Sequence, residues 1–200
     1  MDKSVIPIRL REARKMCGYS LDQLVKVANL RVTRQSIYNY ERGVMQPKPD
    51  MVKAFAETLG VSESYFYGES TKIDMPMLRS TGDDLLSEED LQQLEAMLSY
   101  WAERYLLMEK ELGLKSDFSN PLADTTVSTL DNIIIAADRL RESWRCGSGP
   151  LPAVLRLMER KGIKILSAEL PDGIWGLSTF ADENHPLIVV DMRQQKTTIE

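Results

Sequence analysis

Residues 32–43 read VTRQSIYNYERG, which gathers Arg34, Gln35, Asn39 and Arg42 around Ile37 and Tyr40. Arg, Gln and Asn are the side chains that make paired hydrogen bonds to base edges. At about 100° per residue, a helix here places Arg34, Gln35, Tyr38, Asn39 and Arg42 on one continuous arc. Ser36, Ile37 and Tyr40 fall on the opposite arc, and Glu41 sits on the border. An apolar stripe only says that a helix lies on a core. The other face carries the chemistry, that of reading polar edges in a groove.

No second constellation of this quality exists in the sequence. His185, the single histidine, stands in the turn DENHP, and one imidazole cannot supply a metal ligand set. Cys17 and Cys146 are far apart and lack a C-x-x-C partner, which excludes a cysteine zinc site and fits a reducing compartment. Ser, Cys and His do not group, and there is no Gly-rich phosphate loop. The acidic runs Asp83-Asp84 and Glu88–Asp90 lie at a linker and at a helix start, where solvent and the helix dipole account for them. No catalytic residue, metal or cofactor is expected, and the 200 residues are not expected to form an enzyme.

The elements that would position the polar arc are short helices. Residues 6–16 form a first helix stopped by Gly18, and Ser20 with Gln23 makes an S-x-x-Q capping box that opens a second. Thr33 caps the third, which ends at Gly43. Asp50 is expected to cap a fourth through Leu59, and Ser62 opens a last turn through Tyr67. This makes a mainly α, five-helix domain at 1–68.

Residues 69–86, rich in Gly, Ser, Thr and Pro, read as a linker. Residues 87–113 read as one long helix with Leu91, Leu94, Leu98, Trp101, Tyr105, Met108 and Leu112 at alternating spacings of three and four. That pattern fits either a seam between two subunits or a helix packed on its own domain. The bulk of Trp101 and Tyr105 favours the second. Residues 114–200 read as an α+β region: helices over 128–145 and 152–161, then strands over 163–170, 174–180 and 187–192.

Composition agrees with this division. The net charge of −5 splits into +4 over residues 1–68, with 11 Lys and Arg against 7 Asp and Glu, and −9 over the rest. A basic head on an acidic body suits a head that meets nucleic acid. Apolar runs are short, and the N-terminal MDKSVIPIRL lacks the apolar stretch of a signal peptide, so a cytoplasmic protein away from membranes is expected.

The segments IRLREARKMCGYSLDQLV, TRQSIYNYERG, QPKPD and FAETLGVSESYFYG resemble the phage-repressor-like, Xre-type helix-turn-helix over residues 8–67. The connection ANLRVT is about two residues longer than that family's common form. The resemblance implies a λ-repressor-like fold that binds double-stranded DNA. It also implies roles. Arg34, Gln35 and Asn39 would reach base edges, and Thr33, Ser36 and Tyr38 would lie at phosphates. Arg42 and Lys48 would touch the backbone, and Arg14 would pair with Glu41.

The segments ERYLLMEKELG, FSNPL, GPLP, GIKI and HPLIVVDM are similar to the front part of an ImmA/IrrE-type metallopeptidase-like domain over residues 103–200. That family's signature, H-E-x-x-H on a helix, would follow the strand at 187–192, and the sequence reaches Glu200 without it. Either a longer natural protein carries the motif, or the body serves another purpose. The expected function is sequence-specific transcriptional control, as a repressor of phage or mobile-element genes acting as a homodimer. The alternatives are the front of a zinc endopeptidase that cleaves a repressor, or an antitoxin-type protein that binds a protein partner through its body.

Overall fold

The computed structural model describes residues 5–28, 31–68, 70, 73, 77–80, 86–114, 118–126, 128–151, 153–182 and 184–193. The head is built from α1 (Ile6–Met16), α2 (Leu21–Val27), α3 (Arg34–Glu41) and α4 (Pro49–Leu59), followed by a 3-10 turn (Glu63–Tyr67). The head therefore has four α-helices, and the expected fifth is the 3-10 turn. Five residues between Ser62 and Gly68 give too little length for an α-helix to repay its nucleation.

Local chemistry sets most boundaries. The Ser20 hydroxyl accepts from the Gln23 backbone at 3.2 Å, and the Gln23 side chain accepts from the Ser20 backbone at 2.7 Å. Thr33 Oγ1 accepts from the Ser36 backbone at 3.1 Å. Gly43, at φ +70°, turns the chain out of α3 through a conformation that residues with a Cβ rarely adopt. Asp50 does not cap α4. The helix begins one residue earlier, at Pro49, whose fixed φ and missing N–H suit a first helical position, and Lys48 is the N-cap. The head core contains Leu10, Leu24, Ile37, Phe55 and Phe66, each at most 1% exposed.

The body centres on α5 (Glu88–Glu111) and a four-stranded sheet of β1 (Met77–Ser80), β2 (Lys164–Ala168), β3 (Ile174–Phe180) and β4 (Pro186–Asp191). Ser87 caps α5 by accepting from the Asp90 backbone at 3.1 Å, with three acids in the first turn. The strand order is β1-β3-β4-β2; β2 runs parallel to β4, and the other pairs are antiparallel. Residues 77–80, read as linker, are thus an edge strand paired with β3. Its four residues carry no alternation to reveal it, and its partner lies about a hundred residues downstream.

Leu94, Leu98 and Ala102 of α5 are buried against Ala168, Ile174, Leu177, Leu187 and Val189 of the sheet. Leu94 and Leu98 of the three-four spacing therefore pack within their own body. Met108 and Leu112, at the far end of the stripe, are exposed. Lys164 ties β2 to α5 through Glu109 at 2.7 Å, with its ammonium 5.4 Å from the Tyr105 ring centre. At the end of β4, buried Asp191 receives the Arg193 guanidinium at 3.1 Å. Burial pushes the Asp191 carboxyl upward, but Arg193 and the backbone N–H groups of Arg193 and Leu170 outweigh it and hold it below its ordinary value. Two further helices, α6 (Leu130–Trp144) and α7 (Val154–Arg160), complete the chain.

Head and body meet along α1 and α5. Arg9, 3% exposed, donates to Glu103 of α5 at 2.9 Å and to the Gly68 carbonyl at 2.9 Å. Its guanidinium also stacks 4.5 Å from the Tyr65 ring centre. Burial pulls its pKa down, and Glu103 together with Tyr65 and Glu12 more than restores it. The Tyr65 ring meets Tyr100 of α5 edge-on at 5.8 Å.

Candidate nucleic-acid interface

The two arcs read from the sequence of α3 separate as expected. Ile37 is fully buried and Tyr40 is 8% exposed, with its ring edge-on to Phe55 at 6.3 Å. Thr33, Arg34, Gln35, Tyr38 and Arg42 are exposed, and Asn39 and Ser36 are half-buried. Lys48, at the start of α4, is exposed as well. The polar arc thus faces outward on one short helix whose other side is core.

Hydrogen bonds within the helix order this face. Gln35 Nε2 donates to Asn39 Oδ1 at 3.1 Å, so the two amides stand side by side. Arg42 Nη1 donates to the Tyr38 hydroxyl at 3.2 Å, and its guanidinium lies 5.8 Å from that ring's centre. The Thr33 and Ser36 hydroxyls lie 2.9 Å apart at the helix N-terminus, where free backbone N–H groups favour an anion. Arg34 Nε lies 3.4 Å from Asp22 Oδ2 on α2, and both side chains are well exposed.

Asp22 is the site residue that the sequence reading missed. Its contact depends on how α2 sits against α3, which no local spacing announces. It aims the guanidinium of Arg34 while remaining an exposed pair of modest strength.

Helix α3 is held from behind. Arg14 of α1 donates from Nε to Glu41 Oε1 at 2.6 Å and from Nη2 to Glu41 Oε2 at 2.8 Å, and from Nη1 to the Tyr19 carbonyl at 2.7 Å. Both side chains are more than nine-tenths buried. The border acid of α3 is therefore spent on α1, which leaves Arg34 and Arg42 as the charged groups of the outer face.

Among the described residues, the remaining chemistry-bearing side chains do not converge on a second site. His185 Nδ1 lies 2.6 Å from Asp182 Oδ1 within their own turn. Burial pushes Asp182 up, but the backbone N–H of Asn184 and the His185 ring outweigh it and leave it below its ordinary value. Among the described residues, no three His, Cys, Asp or Glu side chains are grouped to hold a metal. An open groove of about 520 Å³ between α1 and α5 is lined by side chains of mixed charge, among them Arg11, Lys15, Glu12 and Glu95. No described helix is long and apolar enough to cross a membrane.

Residues 10–66 match a helix-turn-helix family model. The matched stretch runs from within α1 to the 3-10 turn, and it contains every residue of the polar arc. The head is therefore a helix-turn-helix DNA-binding domain of the regulator type. The match does not extend to the body. No curated protein and no solved structure matches the chain.

Proposed function

We propose that the protein is a sequence-specific transcriptional repressor of phage or mobile-element genes that reads its operator with α3. The observation that carries this is the outward arc of Arg34, Gln35 and Asn39, rigidly backed by Ile37 and Tyr40 in the core. In the helix-turn-helix docking mode, the N-terminal residues of the second helix lie over base edges in the major groove. Arg34 and Gln35 occupy that end, and Thr33 and Ser36 lie where a phosphate oxygen meets the helix N-terminus. Arg42 and Lys48 flank the groove as backbone contacts. Two heads on paired half-sites make a homodimer the working form, in the cytoplasm.

We propose a binding role for the body and not a catalytic one. An ImmA/IrrE-type architecture for it rests on the sequence order GPLP, a helix and GIKI alone, since the family match ends at residue 66. Even so, these 200 residues hold one histidine and cannot make the two-imidazole site that peptidase chemistry needs.

Selection of bound sequences from random duplex DNA tests the reading. A defined, two-fold-related motif is expected. Arg34→Ala is expected to cost about 1–3 kcal/mol on that motif and to relax the preference at one base position. Recovery of no motif, or an Arg34→Ala protein with unchanged affinity and preference, overturns the assignment of α3 as reader.

A further inference from the structure

Helix α6 carries an apolar stripe that is exposed over its first half, with Leu140 and Trp144 half-buried at its end. Leu130, Ile133, Ile134, Ala137, Leu140 and Trp144 span about 120° of the helical wheel. Leu130, Ile133 and Ile134 are 73%, 52% and 55% exposed. The one buried residue, Ala136, lies about 100° from the middle of that stripe. Neither core cluster includes a residue of α6. Val154 and Leu155 of α7 are exposed as well. An exposed apolar stripe of this kind marks an interaction surface.

We infer that α6 docks antiparallel on α6 of a second copy of this chain. Charge selects that occupant. The helix is divided: residues 128–138 carry Asp131 and Asp138 and no cation, and residues 139–145 carry Arg139, Arg141 and Arg145 against Glu142. An antiparallel pair about a two-fold axis lays the acidic half of each helix along the basic half of the other, with Asp131 facing Arg145 at both ends. A parallel pair sets acid on acid and arginine on arginine. The axis passes beside Ala137, which is exposed and small enough for close approach, and the three-four spacing keeps the stripes in contact along their length. Helix α6 is about 22 Å long. A stable dimer buries about 800 Å² per partner, so the contact draws on surface beyond α6.

The inference rests on the dimer reading proposed above but not on DNA, and the test contains none. Sedimentation of the full chain at micromolar concentration is expected to give twice the 22.7 kDa chain mass. Ile134→Glu, at an exposed position, is expected to give monomer with an unchanged circular dichroism spectrum. Asp131→Arg and Arg145→Asp are each expected to weaken the dimer at least ten-fold, and their combination to restore it. Position 145 sits at φ +56°, a conformation that Asp tolerates. A monomeric wild type overturns both this surface and the dimer reading. A dimer that survives Ile134→Glu overturns the surface alone. Failure of the double charge swap to recover overturns the antiparallel arrangement.

Discussion

Truncating Glu41 is expected to be the most damaging single change at the back of the reader. The Arg14–Glu41 pair is bidentate, with contacts of 2.6 and 2.8 Å, and its side chains are 8% and 7% exposed. Glu41→Ala leaves the Arg14 cation buried with the Tyr19 carbonyl as its remaining partner at 2.7 Å. Removing one member of a buried pair costs about 3–5 kcal/mol, because the stranded charge keeps its desolvation penalty.

Three variants separate the causes in urea titrations followed by circular dichroism. Glu41→Gln keeps the shape and one acceptor and is expected to lose less than Glu41→Ala. The double variant Arg14→Met with Glu41→Leu removes both charges and is expected to lie closer to the wild type than either single truncation. The resulting coupling measures how far the charges need each other. A Glu41→Ala loss below about 1 kcal/mol, the range of an exposed pair, refutes the premise that this pair is desolvated. Additive losses in the double variant refute the coupling.

Leu98→Ala removes a fully buried side chain between α5 and the sheet, and it is expected to cost about 2–5 kcal/mol in the same titration, with the sedimentation coefficient unchanged. A change of oligomeric state in that variant returns the α5 stripe to the subunit seam. Operator affinity is expected to fall linearly with salt on logarithmic axes, by about 0.9 per phosphate neutralised. Lys48→Ala shortens that slope by about one contact without altering the selected motif, and a flat salt response argues against phosphate contact. Asp191 is held below its ordinary value when folded. Its contribution is complete above the unfolded carboxylate range and is lost as pH falls through the folded value. Asp191→Asn is therefore expected to flatten the acid limb of the stability profile, measured by melting from neutral to acid pH; an unchanged limb removes Asp191 as its source.

The face of α3 was legible because eight residues at a fixed angular step place the polar and apolar arcs without reference to anything distant. The caps at Ser20 and Thr33 were legible for the same reason, each being an exchange between residues three apart. Asp50 shows where that logic competes with itself. A good capping residue lost to the proline before it, which needs no N–H partner at a helix start. Strand β1 and the Asp22–Arg34 contact lay beyond reach, since both depend on segments brought together by the fold. Periodicity in α6 disclosed an apolar stripe but could not disclose that Leu130, Ile133 and Ile134 on it are exposed.

Helix α5 shows most fully what periodicity cannot carry. Its apolar side, Leu94, Leu98 and Ala102, rests on the sheet. On nearly the opposite side of the wheel, Gln93, Tyr100, Glu103 and Arg104 meet the head, through Met16, Tyr65, Arg9 and Ser62. Gln, Glu and Arg on a helix surface read as a solvated face. Here they are the means by which α5 grips α1, and Arg9 is buried by that contact. The same α1 carries Arg14, which fixes Glu41 at the end of the reader. From the sheet to α3 the path runs through two helices and two carboxylate–guanidinium pairs, Glu103 with Arg9 and Glu41 with Arg14. The body is therefore packed onto the element that holds the reader in place, and not merely tethered to it through residues 69–86.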